Sequence, residues 1–490
     1  MRRRPHLDER GPRAGGSPVR PIITIAFPLL ALAWGGQGLL AQTTVNGTWR
    51  GDLATPAGAL TLVLTIEGDG GTVGVPARYV AGIPITEVVL AGDGSLSFQV
   101  PADRAAFEGR LAAGDRIVGE WVQAGQRIPI EFERVEADDV PTSRPRRQTP
   151  EPPFPYHAED VVLTAGETLA CTMTLPADSS GSAPGAVLLT VAGANDRDQT
   201  HSGHKPFMVL ADHLTRNGIA VLRCDDRGVG GSSGDLTGST IDDLVADALV
   251  MVRYLSARDG VGPVGVIGNS EGSVVGSLAA ARAPDEVAFA ILLGGVGVQG
   301  ADLIRERLVR QAIAAGRTAD EAEAAMAPFD SLTRAVLTNG GVGAVELERR
   351  RPEAYDRLAE MARAAGTRDP FLPTDVTERT ILFASPWYYD QLSLDGGMVL
   401  EHVPVPVLAL TGSKDRVNLP DQNLPAIRAA LERGGNTDAQ VTEIPDLNHV
   451  FQTALTGGMA EYGTLEESFA PVALEIITKW ILSRFQTEKE

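Results

Sequence analysis

A short stretch of the chain, VGVIGNSEGSVVG at residues 264–276, holds a serine in the pattern G-x-S-x-G. Such a serine becomes a nucleophile when a sharp turn between a strand and a helix exposes its hydroxyl group. Ser270 fits this requirement, because VGVIG leads straight into it and SVVGSLAAARA continues with a helical pattern. The pattern recurs around Ser232, but there GVGGSSGDLTGST is typical of a loop. The sequence therefore predicts Ser270 as a nucleophile and Ser232 and Ser233 as loop serines.

A nucleophilic serine needs a base, and the base needs an acid that orients it. In doubly wound hydrolases the three follow in the order serine, acid, histidine, each at the carboxyl end of a strand. Asp415 ends the apolar run VLALTGSKD, and His449 is the only one of the seven histidines that lies beyond it. Asp446 is a rival acid, but its position favours a loop carboxylate that caps backbone N–H groups. The predicted triad is Ser270, Asp415 and His449.

Attack on an acyl carbonyl creates an oxyanion, which two N–H donors stabilise by roughly 3 kcal/mol each. One expected donor is the backbone N–H of Glu271, the residue after the nucleophile. The other is expected from the loop after the strand AVLLTVAG, at Ala192 or Gly193.

Two histidines in the segment after the strand AVLLTVAG raise the alternative of a metal site. His201 and His204 lie close in sequence to Asp196 and Asp198. Their spacing lacks a third ligand on a helix or strand, which favours solvated loop residues. We therefore predict no metal and no cofactor.

Positioning these groups requires a large fold, and the 490 residues are enough for two or three domains. Hydrophobic residues at 43% and charged residues at 22% are typical of globular proteins. The net charge of −20 argues against nucleic acid and anionic membrane surfaces as partners. For Cys171 and Cys224 the sequence favours two buried thiols and leaves a disulfide open. It does not indicate an oligomeric state.

The first 41 residues differ from the rest. Six arginines precede the apolar run Ile22–Ala33, and small residues follow it. This is the layout of a secretory signal, which predicts cleavage between Ala41 and Gln42 and a periplasmic or secreted protein. An uncleaved anchor is the alternative, since Ile22–Ala41 has about the length that spans a bilayer. No later segment is apolar enough to cross a membrane, so no stable span is expected after removal of the signal.

Two domains with different secondary-structure patterns follow. Residues 44–135 contain about eight short alternating runs separated by glycine turns, which predicts a small antiparallel β domain, a barrel or a sandwich, without catalytic groups. Residues 136–156 are rich in proline and charge and predict a linker. Residues 157–488 alternate strands and helices, which predicts a mostly parallel, doubly wound sheet. Between about residues 298 and 401 only helical patterns occur, as expected for a helical lid.

The part of the chain that carries the predicted triad resembles α/β-hydrolases. Within them it is similar to bacterial carboxylesterases of the EstD type, which are related to serine aminopeptidase-like and dienelactone hydrolase-like domains. The resemblance extends from about residue 153 to 485 and rests on AGANDRDQTHSGHKPFMVLADHL, IAVLRCDDRGVGGSSGD, GVIGNSEGS, SPWYYDQL, PVLALTGSKD and LNHVFQTALTGGMAEYG. It implies the α/β-hydrolase fold, a triad of Ser270, Asp415 and His449, and an additional N-terminal β domain.

Three positions depart from the family pattern. Asn269 replaces a histidine before the nucleophile, and Ala194 and Asn195 replace Ser-Gly-Pro in the oxyanion loop. KDRVN replaces the usual glutamine and valine after the acid and leaves Asp415 in place.

The leading hypothesis is an exported serine carboxylesterase that cleaves small-molecule esters through an acyl-enzyme intermediate. A serine aminopeptidase or other peptidase, an acyl-transferase and a thioesterase are alternatives on the same scaffold. A catalytically silent binding protein, with the β domain as its ligand-binding part, belongs to another class. The intact triad argues against it, because a silent relative is free to lose any of three separated residues.

Overall fold

The computed structural model describes residues 45–485, apart from residues 56–57, 76–79, 101–104, 113–115, 124–125, 137–145, 178–181, 366–371 and 374. The predicted signal segment and its cleavage site lie outside the described residues. Among the described helices, none combines the length and the apolar character needed to span a membrane.

The N-terminal β region is a closed antiparallel barrel. Its strands are β1 (Gly47–Thr55), β2 (Gly58–Glu67), β3 (Gly70–Val75), β4 (Val80–Leu90), β5 (Ser95–Val100), β6 (Ala105–Ala112), β7 (Arg116–Gln123) and β8 (Gln126–Val135). Each strand pairs with the next, and β1 also pairs with β8, so that Gly51 lies opposite Phe132. Within the described residues, this closure gives every strand of the barrel two neighbours. Of the two architectures that the sequence predicted, the structure has the barrel.

Large aromatic side chains fill the barrel. Strand β5 shows why, because its alternate residues Leu96, Phe98 and Val100 are buried while their neighbours face outward. The Phe98 ring stacks on Phe107 with 5.1 Å between centroids, and Trp121 meets Phe98 edge to face. A barrel of eight strands has an interior that side chains of this size can fill.

The second sheet contains eight strands in the order β16-β15-β14-β13-β11-β12-β10-β9. The strands are β9 (His157–Ala165), β10 (Glu167–Leu175), β11 (Ala183–Leu189), β12 (Ala220–Cys224), β13 (Val261–Asn269), β14 (Ala290–Leu293), β15 (Val407–Gly412) and β16 (Ala439–Ile444). Strands β11 to β16 pair in parallel, whereas β9 and β10 are antiparallel to their neighbours. The α/β-hydrolase fold preceded by a small all-β domain is thereby confirmed.

Helices cover both faces of this sheet, which explains its continuously apolar strands. They are α1 (Pro206–Arg216), α2 (Ile241–Ser256), α3 (Glu271–Arg282), α12 (Pro420–Arg433), α13 (Met459–Tyr462) and α14 (Pro471–Phe485). Helices α2, α3 and α12 pack on one face, and α1 and α14 on the other. Thr240 is the N-cap of α2 and forms a capping box with Asp243.

The lid lies between β14 and β15 and has its own apolar cluster. In the described part of the chain its helices are α4 (Gly300–Ala314), α5 (Ala319–Ala324), α6 (Ala327–Asn339), α7 (Ala344–Arg350), α8 (Pro352–Ala365), α9 (Val376–Ala384), α10 (Pro386–Ser393) and α11 (Gly396–Leu400).

Part of the predicted linker is bound to the catalytic domain. The buried guanidinium group of Arg146 donates hydrogen bonds to the carbonyl oxygens of Leu465, Gly463 and Ser202, at 2.8, 2.6 and 3.2 Å. These bonds satisfy carbonyl groups on the loops that follow α13 and precede α1. From Arg146 onward the segment therefore belongs structurally to the catalytic domain.

Cys171 and Cys224 form a disulfide between the neighbouring strands β10 and β12. The two residues are direct partners in the antiparallel register, which places their side chains on the same face of the sheet. The sequence favoured two free buried thiols, and that expectation is wrong. Two residues 53 positions apart become cross-strand neighbours only after the sheet has formed.

Candidate active site

Ser270 lies on the turn between β13 and α3. Its backbone has φ +54° and ψ −112°, a conformation that a side-chain-bearing residue adopts only under strain. The Ser270 N–H donates to the carbonyl oxygen of Leu293 at 2.9 Å, which ties the turn to β14. The strained turn projects the side chain at the carboxyl end of the sheet.

The two glycines of the G-x-S-x-G pattern are required by close backbone contacts. A Cβ atom at Gly268 would overlap the carbonyl oxygen of Gly272. A Cβ atom at Gly272 would overlap the carbonyl oxygens of Leu189 and Thr190 at the end of β11. Glycine at both positions therefore lets the first turn of α3 pack this closely against β11 and β13.

His449 and Asp415 form a buried pair beside this turn. Asp415 Oδ2 lies 2.8 Å from His449 Nδ1, and Asp415 Oδ1 accepts the backbone N–H groups of Val417 and Asn418, each at 2.8 Å. With three donors the acid is fixed in one orientation. Gly294 adopts φ +55°, and a Cβ atom there would stand 3.2 Å from His449 Nδ1. The backbone at the end of β14 thus packs directly against the pair.

Asn418 connects the nucleophile to this pair. Its Nδ2 lies 3.2 Å from Ser270 Oγ and 2.6 Å from the carbonyl oxygen of Gly294. The structure therefore brings the predicted Ser270, Asp415 and His449 together in one buried site. Asn418 was not predicted from the sequence, although a polar residue three positions after the acid, in the KDRVN segment that differs from the family pattern, was a usable signal.

The rival residues lie in other surroundings. Ser232 Oγ donates to the carbonyl oxygen of Asp225 at 2.8 Å and accepts the N–H of Ala170 at 2.9 Å, so it fastens a loop to β10. The exposed Asp446 forms an ion pair with Lys414 at 2.9 Å. Neither group is bonded to the His449 ring.

The predicted oxyanion donors lie on two adjoining segments. Glu271 begins α3, and Gly272 N–H donates to the carbonyl oxygen of Thr190 at 3.0 Å, which joins α3 to the loop after β11. Ala192 and Gly193 lie in that loop, and Gly193 has φ +101°, a conformation that favours glycine.

Hydrogen bonds of Asp226 and Asn195 stabilise this loop. Asp226 accepts the Thr190 hydroxyl at 2.8 Å and the Asn195 N–H at 2.9 Å. The Asn195 amide in turn donates to the carbonyl oxygens of Gly193 and Val191, at 2.7 and 2.9 Å. Asn195, which departs from the family pattern, thus stabilises the turn that carries both candidate donors. Asp226 was not predicted.

Two carboxyl groups near the turn have raised pKa values. Burial above all, and then the negative charge of Asp226, raises the pKa of Glu271 to about 8. Its Oε1 accepts the Trp387 indole N–H at 2.8 Å and the amide N–H of Gln391, both from lid helix α10. Burial likewise raises the pKa of Asp226 to about 7. The Glu271 carboxyl group therefore joins the nucleophile turn to the lid, and at pH 7 it is mostly protonated.

The Glu271 carboxyl group should make stability depend on pH. In the unfolded chain it ionises near its ordinary pKa of 4.5, whereas in the folded protein it holds its proton to about pH 8. The unfolded state therefore loses this proton first, and the free energy of unfolding falls as pH rises from about 4.5 to 8. Glu271→Gln removes this titration and keeps an acceptor for Trp387. We expect the variant to gain about 3–5 kcal/mol over the parent between pH 4 and pH 8.

Urea unfolding of both proteins at the two pH values measures this difference. The values at pH 4 are the internal control, since the parent side chain is then neutral in both states. If the difference in the free energy of unfolding between variant and parent is the same at pH 4 and pH 8, the assignment of a neutral, buried Glu271 is contradicted.

Of the two histidines that are candidate metal ligands, His204 connects its loop to the end of α13 and the loop after it, whereas His201 contacts the carbonyl oxygen of nearby Gln199. His204 Nδ1 lies 2.8 Å from Ser468 Oγ, and its Nε2 lies 3.0 Å from the carbonyl oxygen of Tyr462. Burial lowers the pKa of His204 to about 4, so the ring is neutral at pH 7. Within the described residues, no group of three or more His, Cys, Asp or Glu side chains is placed to hold a metal ion.

Comparison with known proteins gives the same fold family. Residues 184–335 match the family described as serine aminopeptidase, S33. Esterase EstD of Thermotoga maritima is 31% identical over 123 residues, which are 25% of this chain and 29% of EstD. The matched part thus spans less than a third of that relative's length.

Solved structures with similarity to the chain include esterases. Est1E from Butyrivibrio proteoclasticus with bound ferulic acid is 16% identical, has a TM-score of 0.38 and covers 66% of this chain and 98% of its own. An esterase of Pyrococcus furiosus is 14% identical, with a TM-score of 0.38 and coverage of 67% and 91%. A dienelactone hydrolase from Anabaena variabilis is 13% identical, with a TM-score of 0.34 and coverage of 67% and 99%.

The sheet order, the strained serine turn and the matched family model agree. The resemblance to α/β-hydrolases and to EstD that the sequence indicated is confirmed. The catalytic part of this chain has the α/β-hydrolase fold, and its residues 184–335 are similar to the serine aminopeptidase, S33 family.

Proposed function

We propose that the protein is a serine hydrolase that cleaves carboxylic esters through Ser270, His449 and Asp415. One observation carries the proposal: a serine on a strained turn shares a buried site with a histidine–aspartate pair 2.8 Å apart. Removing a serine proton requires a base oriented by an acid, and this site has both groups.

The proposed reaction assigns one role to each of these groups. His449 Nδ1–H donates to Asp415, so Nε2 is left as the base that takes the proton from Ser270 Oγ. Oγ forms a bond to the carbonyl carbon of the ester, and the carbonyl electrons move to its oxygen. The N–H of Glu271 and one N–H from Ala192 or Gly193 are the proposed donors to that oxyanion.

The second half of the reaction returns the enzyme to its starting state. His449 gives the proton to the departing alkoxide, and the C–O bond of the ester breaks, which leaves an acyl group on Oγ. Water then loses a proton to His449 and attacks the acyl carbon. When the C–Oγ bond breaks, Oγ regains its proton from His449, and the carboxylic acid leaves.

We expect esters of short to medium acyl chain length to be better substrates than aminoacyl amides. An alkoxide or phenoxide leaves a tetrahedral intermediate more readily than an amine, which needs a dedicated proton donor. The measurement is kcat/KM for p-nitrophenyl acetate, butyrate and octanoate beside a series of aminoacyl p-nitroanilides. An anilide hydrolysed faster than every ester would favour the peptidase instead.

An aminopeptidase is the second candidate function, because the matched family carries that description. Binding the ammonium group of an aminopeptidase substrate requires an acid, and Asp390 in the lid is one candidate. Asp390 Oδ2 accepts the N–H of Ile241 at 2.7 Å and so caps the start of α2. This contact favours a structural role for Asp390 and thereby supports the esterase over the aminopeptidase.

We also propose export to the periplasm or the medium. The basic and apolar N-terminal layout supports it, and so does the disulfide, since such bonds persist in oxidising compartments. An exported enzyme meets little cytosolic acyl-CoA, and a net charge of −24 after loss of six arginines and two acids repels that polyphosphate. Sequencing the N-terminus of the exported protein tests cleavage before Gln42.

A further inference from the structure

The loop after Asp415 carries a buried amide that contacts the nucleophile. Asn418 lies between β15 and α12 and is 1% exposed. Its side chain makes two hydrogen bonds, with Ser270 Oγ at 3.2 Å and with the carbonyl oxygen of Gly294 at 2.6 Å. Its backbone N–H makes a third, with Asp415 Oδ1 at 2.8 Å. One residue therefore touches both the serine and the acid of the proposed triad.

The carbonyl of Gly294 determines which way the amide faces. A carbonyl oxygen can only accept, so the atom of Asn418 that lies 2.6 Å from it must be the nitrogen. The second hydrogen of the same nitrogen is then directed at Ser270 Oγ, which accepts it. Because the serine oxygen is the acceptor in this bond, its own hydrogen stays available for donation to His449.

We propose that Asn418 is a further catalytic residue, which donates a hydrogen bond to Ser270 Oγ while that oxygen carries charge. This inference rests on the proposed function. Negative charge develops on Oγ when His449 removes its proton, and again when the C–Oγ bond of the acyl-enzyme breaks. An N–H already aimed at Oγ stabilises that charge without any rearrangement. The bond also holds the serine side chain in one rotamer before attack.

Two substitutions separate hydrogen-bond donation from packing. Asn418→Ala removes the donor and leaves the backbone N–H to Asp415 in place. Asn418→Asp keeps the size of the side chain, but its carboxyl group can donate at most one hydrogen bond. The nearer carbonyl oxygen of Gly294 accepts that bond, so none remains for Ser270. Ser270 Oγ then faces an acceptor and donates to it, which turns the serine proton away from His449.

Asn423 provides a matched control in the same segment. It is 0% exposed, and its amide accepts the N–H of Gly297 and donates to the carbonyl oxygen of Leu419. It has no contact with Ser270. Asn423→Ala thus removes a buried asparagine amide of equal size without touching the nucleophile.

The experiment measures kcat and KM for p-nitrophenyl butyrate as a function of pH in the full chain. For Asn418→Ala and Asn418→Asp we expect kcat to fall about 10- to 100-fold, which corresponds to roughly 1.4–2.7 kcal/mol. KM should change little, and in Asn418→Ala the midpoint of the kcat/KM–pH profile should not move, because the Asp415–His449 contact is kept and no charge is added. Asn423→Ala should keep the parent kcat.

Two results would overturn the inference. A kcat equal to that of the parent in either Asn418 variant would show that the hydrogen-bond donor is not needed. If the alanine variant does not fold, the aspartate variant alone tests the need for the donor. A shifted pH midpoint in Asn418→Ala would show that Asn418 acts only by supporting the Asp415–His449 pair. Fluorophosphonate labelling of Ser270 in the parent protein tests the proposed function separately. If Ser270 is labelled and the Asn418 variants are fully active, only this inference is refuted. If Ser270 is not labelled, the proposed function is refuted.

Discussion

Ser270→Ala is expected to lower kcat/KM for p-nitrophenyl esters by about 10⁴-fold or more and to abolish labelling by a fluorophosphonate. The methyl group offers no nucleophile, so no acyl-enzyme can form. The remaining oxyanion donors and the substrate-binding surface account for any residual rate. Mass spectrometry of the labelled protein and steady-state kinetics measure the two effects.

Ser232→Ala is the matched control, because it lies in the second copy of the pattern. Its hydroxyl group connects Ala170 and Asp225 at the start of a loop, so its loss should cost about 1–3 kcal/mol of stability. Activity and labelling should remain largely intact. Full activity in folded Ser270→Ala would end the serine-hydrolase mechanism, and absence of labelling in the parent would favour the silent binding protein.

Removing the disulfide is expected to lower the free energy of unfolding of the catalytic domain by about 4 kcal/mol. The crosslink joins residues 53 positions apart, and its loss returns the corresponding chain entropy to the unfolded state. The test is urea unfolding of the double variant Cys171→Ala, Cys224→Ala against the parent. Hydrolysis below the transition should persist, since neither sulfur contacts Ser270, Asp415 or His449 among the described contacts.

Reduction of the parent protein gives an independent comparison. Dithiothreitol should shift the parent transition toward that of the double variant and leave the variant unchanged. A parent protein with the same unfolding midpoint in oxidising and reducing buffer would show that the crosslink contributes nothing to stability. The same pair of measurements reports whether the purified chain holds the bond at all, which bears on the proposed export.

The local sequence determined the elements and the order of the chemical groups. Gly268 and Gly272 are required by contacts within a few residues or with the adjoining strand, so the turn at Ser270 could be predicted from its own neighbourhood. Thr240 caps its helix through Asp243 three residues later, which is equally local. The alternation of apolar strands with helices was enough for the fold class, because periodicity reflects which face is buried.

Contacts between distant segments could not be predicted in the same way. Closure of the barrel depends on pairing β1 with β8, and the sequence allowed a sandwich as well. The disulfide depends on the register of β10 against β12, which neither cysteine's neighbours encode. Arg146 looked like part of a charged linker, yet its carbonyl partners lie more than 300 residues away, apart from Ser202.

The candidate site shows the same division between sequence and tertiary structure. The types and order of Ser270, Asp415 and His449 could be predicted from the sequence, because chemistry restricts each role to few residue types and each follows a strand. Only the tertiary structure showed that Asn418 donates to Ser270 Oγ and that Glu271 reaches the lid at Trp387. Asparagine and glutamate suit many environments, so their type predicts little. Their roles are decided by which distant groups the folded chain places within hydrogen-bonding distance.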